Sequence, residues 1–292
     1  MRVPANVFSQ DYRVAFKQQQ VWGVAHALEF FLLGGGAGLY LFSTWFARFS
    51  LGQVIAVGLV FAAGVSLMID LGKPGRLWRS FANFKKSWIS RGALSVFVFL
   101  AAAVLAMGSR QLGVATSDAN FALSCEIAAS IFAIIAMLYP GFVLSSYASI
   151  PAWNSPMIPL LFLIYSWTTG WAFFGLVLLA AGSEKLGLFL GLGISLIALT
   201  ILSLVIHLGA LSRGSLAVRE SFRELTRGSL AGKFIGGVLG IGLVVPLLLV
   251  LWVTIAAVMI PAAILLAALL VLLGGFFFRY CVLKAGVYPP LF

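Results

Sequence analysis

The chain has 292 residues, of which 62% are hydrophobic and 9% are charged, and its formal net charge is +11. Soluble globular domains carry about 25% charged residues, so this composition excludes an ordinary soluble protein and indicates a polytopic membrane protein. No hydrophilic stretch is long enough to form a separate soluble domain. We interpret the positive charge through its position relative to the lipid bilayer, and we expect no nucleic-acid partner.

The first twenty residues contain no continuous apolar segment, so we expect no cleavable signal peptide. Eight apolar segments long enough to cross a bilayer then follow, in chain order, at about 22–46, 52–72, 91–109, 122–148, 157–182, 187–210, 234–258 and 262–283. They predict an all-α polytopic membrane protein with eight transmembrane helices and with both termini on one side. Met259–Pro261 is expected to form a tight turn between the last two helices.

The Lys and Arg residues are distributed unequally between the two sides of the predicted bundle. Sixteen of the nineteen lie on the side of the termini, mainly in the predicted loops 73–91 and 211–233, and Arg279 and Lys284 are counted with them. The positive-inside rule then predicts cytoplasmic termini. A docking surface for an acidic partner would explain the same asymmetry.

A short internal similarity predicts a division into two four-helix units, residues 1–150 and 151–292. Span two ends with Asp70-Leu71-Gly72 and span six ends with His207-Leu208-Gly209, 137 positions later. The pairs Arg91-Gly92 and Arg227-Gly228 repeat with an offset of 136.

Ionisable side chains at membrane depth are costly and usually functional. His26 and Glu29 are three positions apart and share one face of span one, near the basic side. Asp70 ends span two on that side, and Tyr139 precedes Pro140 in the inner half of span four. Each has a simpler reading, as a hydrated helix end or an interfacial tyrosine, but together they predict a proton-transfer or hydrogen-bonding site for a small molecule.

Glu126 lies near the opposite end of span four. Its carboxyl group is either a structural hydrogen-bond acceptor or part of a proton path, and the sequence leaves both readings open.

Cys125 and Cys281 lie in apolar runs, and no Cys-x-x-Cys motif or Cys/His cluster is present. We therefore expect no iron–sulfur cluster or zinc site within this chain. The glycine-rich run 34–38 and the series Gly232, Gly236 and Gly240 are predicted to form small-residue faces for close helix packing.

Three segments of the sequence carry a resemblance to a known family. They are DLGKPGRLW at 70–78 with SWISRG at 87–92, YPGFVLS at 139–145 leading to PAWNSP at 151–156, and RYCVLKAG at 279–286. The chain resembles the NrfD/polysulfide reductase membrane-subunit family, which is related to the dimethyl-sulfoxide reductase anchor. The resemblance implies eight helices in two four-helix bundles, no haem, and a pocket for menaquinone or another quinone in the first bundle.

The resemblance also implies partners and a location. The protein would be a non-catalytic membrane subunit in the prokaryotic cytoplasmic membrane, bound to an iron–sulfur subunit that serves a molybdenum or tungsten catalytic subunit. Well-known relatives hold that iron–sulfur subunit outside the cytoplasm, whereas the positive-inside rule favours the cytoplasmic side here. We favour a position of the iron–sulfur subunit on the cytoplasmic side.

By position, Tyr139 matches the family tyrosine that donates to a quinone carbonyl, and His26 matches the polar residue facing the same ring. Asp70, Lys73 and Arg91 match the polar rim near the docking face.

The chemistry of quinones agrees with these matches. Quinone turnover moves two electrons and two protons, and His26, Glu29 and Asp70 are the titratable groups available to exchange the protons. Trp78 and Trp88 are expected to pack on the quinone or on the partner subunit.

Two other functions remain open at this stage. His26 and His207 are the only histidines, and together they could ligate one haem b in a membrane cytochrome. Alternatively, the repeated four-helix units and glycine-interrupted helices are compatible with a secondary transporter.

Overall fold

The computed structural model describes residues 16–70, 85, 87–111, 119–182, 186–257 and 260–290. Within these ranges the protein forms nine α-helices, α1 (Val24–Phe42), α2 (Ser50–Asp70), α3 (Trp88–Gln111), α4 (Ala119–Ser145), α5 (Met157–Ala180), α6 (Leu186–Ser212), α7 (Leu216–Thr226), α8 (Val245–Ala256) and α9 (Pro261–Lys284). A π-helical segment, π1 (Ser43–Ala47), continues α1, and a second, π2 (Gly232–Val244), leads into α8. The predicted all-helical class is confirmed.

In the described part of the chain, seven helical stretches of 23 to 26 residues are long and apolar enough to cross a membrane. They correspond to the predicted spans one and three to eight. The predicted second span coincides with α2, in which the apolar part that is described is shorter, Ser50–Ser66. The eighth crossing and the arrangement in two four-helix bundles remain predictions.

The last two spans are separate helices, as predicted. Ala257 adopts a left-handed conformation with φ of 52° at the end of α8, and Ile260 is extended. Pro261 then begins α9, where its missing N–H group costs nothing because the first turn of a helix has no intrahelical acceptor for it.

Helix α1 lies at the centre of the helix packing and contacts α2, α4, α5 and α9. Its glycine segment 34–38 makes these contacts possible, as predicted. A Cβ atom at Gly38 would lie 2.9 Å from the Cα atom of Gly170, and one at Gly170 would lie 2.5 Å from the Cα atom of Gly38. Only glycine therefore permits this distance between α1 and α5.

The prediction for Gly232, Gly236 and Gly240 is wrong. A Cβ at Gly232 or Gly236 would meet nothing within 4 Å, and one at Gly240 would meet only the carbonyl oxygen of Ile235. The contacts with α9 are made instead by Gly237, which lies against Phe277, and by Gly242, which lies against Gly274.

The described ends of the protein lie together. The strands β1 (Lys17–Gln18) and β2 (Val287–Tyr288) form an antiparallel pair. The side-chain amide of Gln19 donates to the carbonyl oxygen of Leu283 at 2.8 Å, which satisfies one of the free carbonyl groups in the last turn of α9. The start of α1 is thereby held beside the end of α9.

Two parts of the basic side differ from the sequence interpretation. Arg279, which the sequence interpretation counted among the surface charges, is completely buried. Its Nε donates to the carbonyl oxygen of Phe30 at 3.1 Å and its Nη2 donates to Ser166 Oγ at 3.2 Å. The segment 211–233 contains the amphipathic helix α7, which buries Ala217 and Leu225.

Candidate functional site

Glu29 on α1 and Tyr139 on α4 form a buried hydrogen bond. The Tyr139 hydroxyl donates to Glu29 Oε1 at 2.9 Å. The two residues are 5% and 6% exposed. A carboxyl group buried at membrane depth requires such a partner because its charge is costly in a low-dielectric environment. The first and fourth predicted spans thus contribute one polar pair, as expected from their polar residues.

This pair lies at a cavity of about 250 Å³ enclosed by α1, α2, α3 and α4. The other lining residues in the described part of the protein are apolar: Leu33, Phe61, Ala63, Gly64, Val65, Met68, Ala93, Val96, Phe97 and Leu100. An apolar cavity with a small number of convergent polar groups is the usual form of a small-molecule site.

Packing from two neighbouring helices fixes the tyrosine. Phe30 contacts the Tyr139 ring edge to face, with a centroid distance of 6.3 Å. On the other side Gly92 lies so close that a Cβ atom there would overlap the ring. Gly141 brings α4 against the backbone at Pro159, so the turn that carries Tyr139 is held from three directions.

Aromatic and basic groups cluster at the start of α3. The Trp88 ring stacks on Phe142 with a centroid distance of 4.4 Å and an interplanar angle of 9°. The Arg91 guanidinium lies 4.5 Å from the centre of the Trp88 ring and donates to the carbonyl oxygen of Lys85 at 2.8 Å. Phe142 is one turn of α4 beyond Tyr139, which places this cluster next to the polar end of the cavity.

The other predicted site residues fall into two groups. His26 is half-buried, contacts the ring of Trp22 at 4.7 Å, and is not among the described residues that line the cavity. The backbone of Asp70 ends α2, but its side chain, like Lys73 and Trp78, lies outside the described residues.

Sequence reasoning missed the apolar residues of the site. Phe61 and Phe97 form walls of the cavity, and Gly92 lies against the Tyr139 ring. The two phenylalanines occur in apolar segments where nothing in the pattern distinguishes them. The adjacent Arg91-Gly92 motif was the one available signal for Gly92.

Glu126 takes part in a separate polar contact. Arg110 on α3 forms an ion pair with it, with Nε 2.6 Å from Oε1. Glu126 is 13 residues before Tyr139 on α4, about 20 Å along the helix axis. The carboxylate therefore has a fixed structural partner at a distance from the cavity.

Comparison with known proteins identifies the family. The sequence pattern of the family described as "Polysulphide reductase, NrfD" matches residues 13–289. The chain belongs to this NrfD family. It is also similar to the C subunit of the polysulfide reductase of Wolinella succinogenes, with 30% identity over 263 residues that cover 78% of this chain and 82% of that relative. This NrfD-family protein is a membrane subunit of a respiratory oxidoreductase.

Proposed function

We propose that this NrfD-family subunit binds a lipid quinone such as menaquinone in the cavity and exchanges electrons with an iron–sulfur partner subunit. The single observation that carries the proposal is the Glu29–Tyr139 hydrogen bond at the polar end of an apolar cavity. A planar ring that bears a carbonyl group fits this combination, because the ring faces need apolar walls and the carbonyl oxygen needs a hydrogen-bond donor.

The cavity dimensions suit a quinone headgroup. A volume of about 250 Å³ is close to the lower end of the roughly 300–1,000 Å³ typical of small-molecule sites. The headgroup is planar and has its polar atoms at its edge. The apolar residues that line the cavity would contact the faces of the headgroup, while Tyr139 and Glu29 would meet an oxygen at its edge.

A bound quinone supplies a centre that takes up or releases two electrons and two protons. Tyr139 can hold a carbonyl oxygen only when its own hydroxyl hydrogen is directed away from Glu29. Protonation of Glu29 allows this change, because the carboxylic acid can then donate to the Tyr139 oxygen. Glu29 therefore stores the proton. Tyr139 orients the quinone ring by donating a hydrogen bond to its carbonyl oxygen.

The remaining predicted residues complete this proposal. Trp88 and Arg91 would form the docking rim for the iron–sulfur subunit together with Lys73 and Trp78, and His26 and Asp70 would connect Glu29 to water. The electrons would come from outside this subunit, through the iron–sulfur subunit and a molybdenum or tungsten catalytic subunit.

The proposal includes the arrangement in the membrane. Helix α2 would be the eighth span, with residues 1–150 and 151–292 as two four-helix bundles. Both termini would face the cytoplasm of a prokaryotic cell, in keeping with the basic residues on that side. A cysteine introduced at positions 80–87 should then resist membrane-impermeant maleimide in intact cells, and ready labelling would contradict this orientation.

The test of function uses the purified complex of this subunit with its natural partners. Extraction with organic solvent should recover quinone in proportion to the subunit, and an inhibitor that competes with quinone should stop quinone-linked turnover. Recovery of no quinone, together with a Soret band and a sharp α-band in the reduced spectrum, would favour the haem-b alternative through His26 and His207.

A further inference from the structure

The cavity has an opening on the apolar surface between α2 and α3. Phe61 and Phe97 both line it, yet they are 62% and 61% exposed. Gly64 of α2 also lines the cavity, and a Cβ atom there would meet nothing within 4 Å. Exposed phenylalanine side chains in a membrane protein face lipid at this depth. The cavity is therefore accessible sideways from the hydrocarbon region.

A second hollow of about 340 Å³ lies on the outer surface of α3 and α4. It is a groove, which we call the α3–α4 groove, and its lining residues are Phe97, Val98, Ala101, Ala102, Leu105, Phe121, Ser124, Cys125 and Ala128. The groove contains no charged side chain among these residues.

Phe97 joins the two hollows. On α3, Val96 and Leu100 face the cavity, whereas Val98 and Ala101 face the groove. Since successive helical residues are rotated by about 100°, Phe97 lies at the boundary between these two faces, and it lines both spaces. A continuous apolar route therefore leads from the Glu29–Tyr139 pair, past Phe97, to the lipid surface.

We propose that the isoprenoid tail of the quinone leaves the cavity between Phe61 and Phe97 and lies in the α3–α4 groove. This inference rests on the proposed function of the cavity. A space of about 250 Å³ accommodates a headgroup but leaves no room for a long tail. The groove begins where the cavity ends and offers an apolar surface that would bury the tail.

The route selects a quinone tail over a phospholipid. A phospholipid carries a charged headgroup that needs cationic or polar partners. Among the described residues that line the groove, the polar side chains are those of Ser124 and Cys125, and neither provides a cationic site. A molecule with a weakly polar ring at one end and a long hydrocarbon tail fills both hollows.

The thiol group of Cys125 can serve as a chemical probe of the groove. Cys125 is half-buried in the groove, whereas Cys281 is completely buried, and these are the two cysteines of the sequence. In the delipidated complex, a long-tailed menaquinone should slow alkylation of Cys125 by N-ethylmaleimide severalfold. A tail-less naphthoquinone at saturating concentration should leave the rate unchanged. The Cys125→Ser variant measures the background, which is the alkylation of the other cysteines in the complex.

Equal protection by both quinones, or protection by phospholipid without quinone, would overturn the proposal. A kinetic test separates it from the proposed function. Ala101→Trp should fill the groove and raise KM for the long-tailed quinone by at least about tenfold, the effect expected when apolar contacts are lost. It should leave KM for the tail-less quinone unchanged. Leu202→Trp, at an exposed position on α6, is the control for a bulky residue in contact with lipid.

Similar KM changes for both quinones in Ala101→Trp would exclude the groove as the tail site while leaving the cavity assignment intact. Failure of the wild-type complex to react with either quinone would instead contradict the proposed function itself.

Discussion

The ring of Tyr139 on α4 rests on the backbone of Gly92 on α3, so closely that any Cβ atom at residue 92 would overlap it. This contact sets the depth of the Tyr139 hydroxyl and therefore its 2.9 Å hydrogen bond to Glu29. A residue without a side chain thus determines the position of the group proposed to bind the quinone. The first prediction tests this relationship.

Gly92→Ala should displace the Tyr139 ring and raise KM for quinone about tenfold, since overpacking typically costs about 1–3 kcal/mol. The measurement is steady-state turnover of the purified complex with a tail-less quinone. Gly58→Ala is the matched control, because a Cβ at this glycine of α2 would meet nothing within 4 Å. Unchanged kinetics in Gly92→Ala would mean that the position of Tyr139 does not matter for turnover.

Tyr139→Phe removes the hydroxyl group and keeps the ring. The loss of one hydrogen bond, about 0.5–1.5 kcal/mol, should weaken quinone binding severalfold to about tenfold. Tyr165→Phe is the control, because the buried Tyr165 hydroxyl has no hydrogen-bond partner in the described part of the protein and its ring stacks on Phe278. If the two variants bound quinone with equal affinity in a titration, Tyr139 would not contact the carbonyl oxygen.

Glu29→Gln keeps a hydrogen-bonding side chain but cannot store a proton. Quinone-linked kcat should fall by about 10²–10⁴-fold, the usual contribution of a general acid or base, while bound quinone is still recovered on extraction. The comparison is Glu126→Gln, which removes the charge of a glutamate that pairs with Arg110 away from the cavity. This control should lower thermal stability and leave kcat nearly unchanged. A large fall in kcat in Glu126→Gln would indicate instead that its carboxylate belongs to a proton path.

The sequence predicted the helices well because their signal is simple. Apolar segments of sufficient length and a Pro at the start of α9 define the spans within a few residues. The polar pair was also accessible from sequence, since Glu29 and Tyr139 stand out against apolar neighbours. The apolar walls could not be predicted from the sequence, because Phe61 and Phe97 are of the same residue type as phenylalanines that face lipid.

The errors share one cause, because the sequence does not show which faces of neighbouring helices meet. Gly232, Gly236 and Gly240 repeat every four residues, but Gly237 and Gly242 are the glycines of this segment that lie against α9. Arg279 has the appearance of a residue near the end of a span. Its burial depends on space that Gly34 and Gly275 leave between three helices, and no one-dimensional pattern reveals that space.

The site of Arg279 gives the last prediction. A Cβ at Gly34 would overlap Ser166 Oγ and lie 2.8 Å from Arg279 Nη2. Gly34→Ala should therefore destabilise the protein by about 1–3 kcal/mol, which a thermal unfolding scan in detergent detects as a lower Tm. Ser166→Gly removes the overlapping side chain, so the double variant should recover part of this loss. Additive losses in the double-mutant cycle would mean that the two positions are not coupled, and that the guanidinium is not confined between α1, α5 and α9.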